Sequence, residues 1–118
     1  MSRATGTWGE AQVASYLRKK GYRLLAHSYH CRFGEIDLIA QKGKMLCFVE
    51  VKTRSNLHFG LPREYVTAAK QEKLRKTAAF YLSEHRLDCP VRFDVAEVYT
   101  DEQHSSGSVK IEYLENAF

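Results

Sequence analysis

Two stretches of the sequence decide the fold, Gly34-Glu35-Ile36-Asp37-Leu38-Ile39-Ala40 and Phe48-Val49-Glu50-Val51-Lys52. Apolar and charged residues alternate in both, which predicts two β-strands, because side chains two positions apart on a strand point to the same side of the sheet. Residues 41–44, Gln-Lys-Gly-Lys, suit a tight turn and therefore an antiparallel hairpin. Folding this hairpin brings Asp37 close to Glu50 and Lys52.

The remaining segments place helices before and after the hairpin. Apolar spacing predicts a first helix over residues 5–20, ended by Gly21, and a first strand over 22–29. A second helix is predicted over residues 61–84, a further strand is predicted to start with residues 91–95, and a last strand is predicted over 109–114. The expected inner face of the second helix consists of Val66, Ala69, Leu74, Ala78, Tyr81 and Leu82.

The predicted order of elements is therefore α-β-β-β-α-β-β. The second helix is long enough to cross over the sheet, so the strands on either side of it, the third and fourth, should be parallel. We expect an α/β fold with a mixed sheet flanked by helices and an extra C-terminal strand. The segment 103–108, rich in Ser and Gly, is expected to be a flexible loop.

The composition is that of an ordinary globular domain. The chain has 118 residues, of which 44% are hydrophobic and 27% charged, so we expect one domain over residues 1–118. No apolar run reaches the length of about 18 residues that a membrane-spanning helix needs, and the first residues lack the apolar core of a signal peptide. The three cysteines, at positions 31, 47 and 89, have no metal-ligand spacing. Free or buried thiols in the cytoplasm are therefore expected.

Charge is distributed unevenly along the chain. Residues 1–92 contain 17 Lys and Arg against 8 Asp and Glu, a balance of +9, and residues 93–118 contain 1 against 6, a balance of −5, which together give the net +4. A basic body suits a phosphate-bearing partner, since Lys and Arg displace the counterions condensed on nucleic acid. A solvated charged surface without a partner explains the same numbers.

The charged positions of the hairpin have the composition of a divalent-metal centre. Hydrolysis of a phosphodiester needs carboxylate oxygens that hold Mg²⁺ or Mn²⁺ and leave room for water and phosphate. We expect Asp37 and Glu50 to bind the metal, joined by the carbonyl of Val51. Lys52 would orient or help deprotonate the attacking water and stabilise charge on the phosphate. The alternative is an ordinary charged sheet face with cross-strand pairs.

A further carboxylate comes from the first helix. Glu10 lies one turn before Val13, Ala14 and Leu17, so it rides on the face that should pack inward. A buried carboxylate is costly unless it is paired or binds a cation, which makes Glu10 a candidate ligand, directly or through water. Glu35, one pleat before Asp37, is a weaker candidate.

Basic residues that follow the hairpin are candidates for contact with nucleic acid. The polar segment 53–62 comes directly after the metal-binding positions and carries Arg54 and His58. The second helix carries Lys70 and Lys73, and Lys70 lies one turn after Val66. A surface connection and a solvated helix face are the competing explanations.

Several motifs together resemble the YraN-like family of small bacterial proteins. They are Gly9-Glu10, Ala14, Tyr16-Leu17, Gly21-Tyr22, the two hairpin stretches extended to Thr53-Arg54, and Arg92-Phe93-Asp94-Val95. The resemblance extends to about residue 99. It implies a restriction-endonuclease-like fold, an α-β-β-β-α-β core, similar to that of archaeal Holliday junction resolvases. The positions that match the resolvase metal site are Glu10, Asp37, Glu50 and Lys52.

We therefore expect a metal-dependent endonuclease that hydrolyses phosphodiester bonds in DNA, including branched or structured DNA. Two alternatives stay open. A non-catalytic nucleic-acid-binding module would keep the fold within a repair or recombination complex, and a protein-interaction domain would use the acidic end to bind a basic partner. A homodimer is a natural arrangement for the nuclease, because the related resolvases cut two strands as dimers.

Overall fold

The computed structural model describes residues 3–55, 66–100 and 109–118, with side chains from residue 7 onward in the first of these ranges. Two helices and five strands follow the predicted order. They are α1 (Arg3–Lys19), β1 (Arg23–Cys31), β2 (Gly34–Lys42), β3 (Met45–Ser55), α2 (Ala68–Glu84), β4 (Val91–Thr100) and β5 (Lys110–Leu114).

The strands form one mixed sheet in the order β1-β2-β3-β4-β5. Pairing is antiparallel between β1 and β2, between β2 and β3, and between β4 and β5. Strands β3 and β4, which α2 connects, are parallel. The expected hairpin, crossover and C-terminal strand are thus confirmed, and the hairpin turn consists of Gly43 and Lys44.

Each face of the sheet carries one helix and one apolar cluster. On the α1 face, Val13 and Leu17 pack against Leu38, Val49 and Val98, with other small apolar residues of β2–β4. On the α2 face, a second cluster contains Ile36, Ile39, Leu46, Phe48, Leu74, Ala78 and Tyr81. Burying this apolar surface on both sides provides the main driving force for folding.

Local signals in the sequence explain where the helices end and begin. The chain leaves α1 through Gly21, whose φ of 91° is a conformation that glycine adopts without strain, and Tyr22 N–H donates to Leu17 O at 3.0 Å. At the start of α2 the hydroxyl of Thr67 accepts from Lys70 N–H at 3.2 Å, so Thr67 is the N-cap.

Two predictions for the second helix are wrong. Val66 and Thr67 are not helical, and the helix begins only at Ala68, because the Thr67 hydroxyl caps it there. Ala69 is exposed and does not belong to the inner face. The predicted helical residues 61–65 and the predicted loop 103–108 lie outside the described residues.

A buried ionic network connects β4 to β5 and the C-terminal residues. Asp94 is fully buried and accepts from Arg92 Nε at 2.9 Å, from Tyr113 OH at 2.5 Å and from the backbone N–H of Asn116 at 2.9 Å. Arg92 also donates to Tyr22 OH at 2.8 Å. Hydrogen bonding to Asp94 raises the pKa of Arg92. The pKa of Tyr113 is also raised, mainly by burial and secondly by its hydrogen bond to Asp94. The Arg-Phe-Asp-Val motif is therefore a structural element of the fold.

The three cysteines are free thiols, as expected. Burial raises the pKa of Cys47 to about 11, so this thiol is held in its neutral, unreactive form at neutral pH. Neither helix in the described part of the chain combines the length and the apolar character that crossing a membrane requires.

Candidate metal centre

Asp37 lies where the pairing of β2 with β3 stops. The last pair of that ladder is Leu38 with Val49, and β3 continues beyond it paired only with β4. The backbone N–H of Val51 would otherwise lack its partner in β2, and it donates instead to Asp37 Oδ2 at 2.7 Å. A side-chain carboxylate thus replaces a backbone carbonyl, and a gap opens between the two strands.

The gap coincides with a departure from strict alternation in β2. Ile36 packs in the same cluster as Ile39, although an odd spacing of three would place them on opposite faces of a regular strand. Glu35, the weaker candidate, is at the exposed end of the strand, and its carboxylate lies 3.9 Å from His30 Nδ1. The structure therefore keeps Asp37 in the gap and leaves Glu35 on the surface.

The surroundings of Asp37 strongly perturb the pKa of its carboxyl group. The pKa of Asp37 is raised from 3.8 to about 7, mainly by burial and next by the nearby charge of Glu50. Glu10 adds a smaller upward effect, whereas the Val51 N–H and Lys70 lower the pKa. Two carboxylates held close without a cation repel each other, which is the arrangement that a divalent ion relieves.

Glu50 already has one cationic partner, and it comes from α2. Lys70 Nζ donates to Glu50 Oε1 at 2.8 Å, with the lysine side chain 50% exposed and the glutamate side chain 12% exposed. Lys70 was predicted to contact nucleic acid, and the structure places its ammonium directly on a predicted metal ligand. Sequence spacing cannot reveal this contact, because it depends on how α2 crosses the sheet.

Lys52 and Arg54 follow Glu50 at alternate positions of β3, so the three side chains share one face of that strand. Lys52 stands opposite Glu97 in the register of β3 and β4. The Glu97 side chain is 1% exposed and accepts from Arg54 Nε at 3.0 Å. Arg54 therefore lies beside Lys52 on the strand, and its guanidinium pairs with the buried carboxylate of Glu97.

Glu97 was not predicted to contribute to the site. Its signal was present, since a charge interrupts the apolar run Val95-Ala96-Glu97-Val98 just as Glu50 interrupts β3. The second unpredicted residue is Ser28, and no sequence pattern marks it.

Glu10 reaches the centre from the α1 face of the sheet. Ser28 lies across from Asp37 in the register of β1 and β2, between the pairs His27 with Leu38 and Tyr29 with Ile36. Its hydroxyl donates to Glu10 Oε1 at 3.0 Å, and its φ of 51° is unusual for a residue with a side chain. Ser28 therefore holds Glu10 beside Asp37, and direct ligation of a metal by Glu10 stays a prediction.

Gly9 sets the distance between α1 and β3. A Cβ atom at this position would overlap the Thr53 hydroxyl oxygen, which is buried and has no hydrogen-bond partner among the described residues. We expect Gly9→Ala to lower the free energy of unfolding by about 1–2 kcal/mol, because the steric overlap destabilises the fold more than the higher helix propensity of alanine stabilises it. Denaturant unfolding measures the change.

Thr53→Ala provides the matched control for that experiment. Without the Thr53 hydroxyl, the Cβ atom of an alanine at position 9 makes only ordinary van der Waals contacts. The double variant Gly9→Ala/Thr53→Ala should therefore recover the stability lost by Gly9→Ala alone. A double variant as unstable as Gly9→Ala would show that the close approach of α1 is not the reason for glycine.

The donor set fits a hard divalent ion. Asp37 and Glu50 contribute carboxylates, and the Val51 carbonyl faces the same gap as its N–H, because both groups of a strand residue point to the same neighbouring strand. Within residues 3–55, 66–100 and 109–118, no three His, Cys, Asp or Glu side chains form a ready-made ligand set. Two carboxylates and one carbonyl are a donor set that Mg²⁺ can use, since this ion usually keeps several of its waters.

A cleft beside the centre contains both predicted lysines of α2. Its volume is about 420 Å³, and it lies between the β1–β2 turn, with His30 and Gly34, and α2, with Lys70, Lys73 and Thr77. The Thr77 hydroxyl is 3.0 Å from the position of a Cβ on Gly34, so glycine permits this turn to approach the helix. The predicted nucleic-acid residue His58 lies outside the described residues.

Comparison with known proteins gives a family for the chain. The model of the uncharacterised protein family UPF0102 matches residues 9–98. A UPF0102 protein of Symbiobacterium thermophilum is 47% identical over 121 residues, which cover 100% of this chain and 98% of that protein. UPF0102 proteins of Syntrophomonas wolfei and Alkaliphilus metalliredigens are each 44% identical over 119 residues, covering 100% of both chains in each case. These matches confirm the YraN-like resemblance, and the chain belongs to the UPF0102 family.

Proposed function

We propose that this protein is a cytoplasmic, metal-dependent endonuclease that hydrolyses phosphodiester bonds in DNA, including branched or structured DNA. The observation that carries the proposal is the position of Asp37. Its carboxylate occupies a break in the β2–β3 pairing, beside Glu50, with its pKa raised to about 7. Strongly perturbed carboxylates in an open gap are typical of catalytic and metal-binding sites rather than of ordinary sheet surfaces.

The residues of the centre have separate roles in this proposal. Asp37, Glu50 and the Val51 carbonyl hold Mg²⁺ or Mn²⁺, and Glu10 supports Asp37 from the α1 face. A bound divalent ion supplies Lewis-acid polarisation of the phosphate and a lowered pKa for bound water. Lys52, on the same strand face as Glu50, orients the attacking water and stabilises the charge that develops on the phosphate oxygens.

A cleavage assay and a binding assay test the proposal together. Purified protein is incubated with labelled duplex, single-stranded and four-way-junction DNA in Mg²⁺ or Mn²⁺, with a chelator as control. We expect cleavage of at least one substrate that the chelator abolishes. Calorimetric titration of Mn²⁺ should detect binding to the wild type and its loss in Glu50→Ala, with exposed Asp88→Ala as the matched control. Absence of cleavage on all three substrates together with absence of Mn²⁺ binding would refute the proposal.

The ion pair between Lys70 and Glu50 favours a second candidate, a nucleic-acid-binding module without catalysis. A lysine that permanently neutralises Glu50 would close the centre to a metal ion. Such a module would bind DNA in a salt-sensitive manner without turnover. Asp37→Ala would then bind DNA at least as well as the wild type, and no divalent ion would be needed.

A further inference from the structure

Lys70 contacts Glu50 Oε1, one of the two carboxylate oxygens that this residue offers to a metal ion. The distance from Lys70 Nζ to Glu50 Oε1 is 2.8 Å, so the ammonium occupies space next to that oxygen. An ammonium and a divalent ion bound to the same oxygen would lie within a few ångströms of each other and would repel each other strongly. The two cations cannot share this position.

The Lys70 side chain has an alternative position when it leaves Glu50. Its side chain is half exposed, so it is not locked by packing. Lys70 also lines the cleft of about 420 Å³ between α2 and the β1–β2 turn, together with Lys73 and His30. Glu35 also lines this cleft, so the space into which the ammonium would turn holds a carboxylate as well as basic groups.

We infer that Lys70 and a divalent ion compete for the Glu50 carboxylate, and that binding of the ion frees the Lys70 ammonium to contact a phosphate of the bound nucleic acid. This inference rests on the proposed function, because it requires a metal at Asp37 and Glu50. It makes the binding of metal and of nucleic acid mutually dependent, since any coupling between two ligands is reciprocal.

Lys73→Gln is the matched control for Lys70→Gln. Both lysines are on α2, one turn apart, both are exposed and line the same cleft, and both substitutions remove one positive charge. No contact joins Lys73 to Glu50 among the described residues, whereas Lys70 is bonded to it.

Calorimetric titration with Mn²⁺ in the absence of DNA tests the competition. We expect Lys70→Gln to bind Mn²⁺ about three- to tenfold more tightly than the wild type, because the ion no longer displaces an ion pair or meets the lysine charge. Lys73→Gln should match the wild type. Equal affinity of the wild type and Lys70→Gln, or weaker binding by Lys70→Gln, would overturn the inference.

Fluorescence anisotropy with labelled DNA tests the release of Lys70. With a chelator, the wild type should bind DNA only slightly more tightly than Lys70→Gln, because the Lys70 ammonium is held on Glu50 and the variant differs only by the unpaired Glu50 charge. With Ca²⁺ the wild type should bind about three- to tenfold more tightly than Lys70→Gln, as expected for one regained phosphate contact. Lys73→Gln should show the same ratio to the wild type in both conditions.

The results separate this inference from the proposed function. If the ratio of wild-type to Lys70→Gln affinity is the same with Ca²⁺ and with the chelator, release of Lys70 is refuted while the metal centre stands. If neither the wild type nor Lys70→Gln binds Mn²⁺, the metal centre itself is refuted, and the inference falls with it.

Discussion

Asp37→Asn is expected to abolish metal-dependent cleavage while making the metal-free protein more stable at pH 8. The amide keeps the oxygen that accepts from Val51 N–H but loses the charge that would hold a metal ion. We expect the cleavage rate to fall by about a thousandfold or more, since the loss of metal-assisted charge stabilisation is worth several kcal/mol. Rates are measured on the best substrate of the DNA panel.

The gain in stability follows from the raised pKa of Asp37. Because the pKa is about 7 in the folded protein and 3.8 as the reference for the unfolded chain, the folded state holds the proton more tightly. The protonated Asp37 carboxyl therefore contributes its full stabilisation of the folded state below pH 3.8, and this contribution is lost as the pH rises through about 7. The advantage of Asp37→Asn over the wild type should therefore grow by about 1–3 kcal/mol between pH 4.5 and pH 8.

Denaturant unfolding at several pH values, with a chelator present, measures this difference. Asp88→Asn, which removes an exposed carboxylate, should show no comparable pH-dependent gain. Mg²⁺ should stabilise the wild type more than Asp37→Asn, because a ligand that binds only the folded state shifts the equilibrium toward it. An Asp37→Asn protein that is less stable than the wild type at pH 8 would contradict the account of Asp37 as a strained, functional acid.

Asp94→Ala should be the most destabilising of the substitutions considered. Asp94 is fully buried and receives hydrogen bonds from Arg92, Tyr113 and the backbone of Asn116. Removing it leaves the Arg92 guanidinium, only 17% exposed, without its main counter-charge. We expect the free energy of unfolding to fall by about 3–5 kcal/mol, the cost of breaking a buried ion pair.

Tyr113→Phe is the graded control for the Asp94 network. It removes one hydrogen bond but leaves the ion pair of Arg92 and Asp94 intact, so a loss of about 1 kcal/mol is expected. Thermal and denaturant unfolding of the two variants measure the ratio of the effects. If Asp94→Ala lowered the free energy of unfolding less than Tyr113→Phe does, the network would contribute little to folding.

The parts of the fold that depend on short-range patterns could be predicted from the sequence. Alternation of apolar residues in β2 and β3 gave the hairpin, and the length of the following helix gave the parallel pairing of β3 and β4. The start of α2 was placed too early because apolar residues such as Val66 continue the pattern upstream of Thr67. The cap depends on one hydrogen bond from Lys70 N–H, which periodicity does not report.

The site was predictable only as far as charges in apolar strands reveal it. Asp37 and Glu50 stood out for that reason, and Glu97 carries the same signal. Contacts between distant segments could not be derived, among them the hydrogen bond of Ser28 to Glu10 and the ion pair of Lys70 with Glu50. These depend on how each helix packs across the sheet, which the local pattern leaves undetermined.

The bond from Val51 N–H to Asp37 makes one backbone proton a reporter of the whole centre. Its exchange with deuterium and its NMR chemical shift depend on a carboxylate rather than on a neighbouring strand. Titrating acid, a divalent ion or an oligonucleotide against isotope-labelled protein would therefore alter this single resonance first. Occupancy can then be followed in an intact sample, without waiting for product to form.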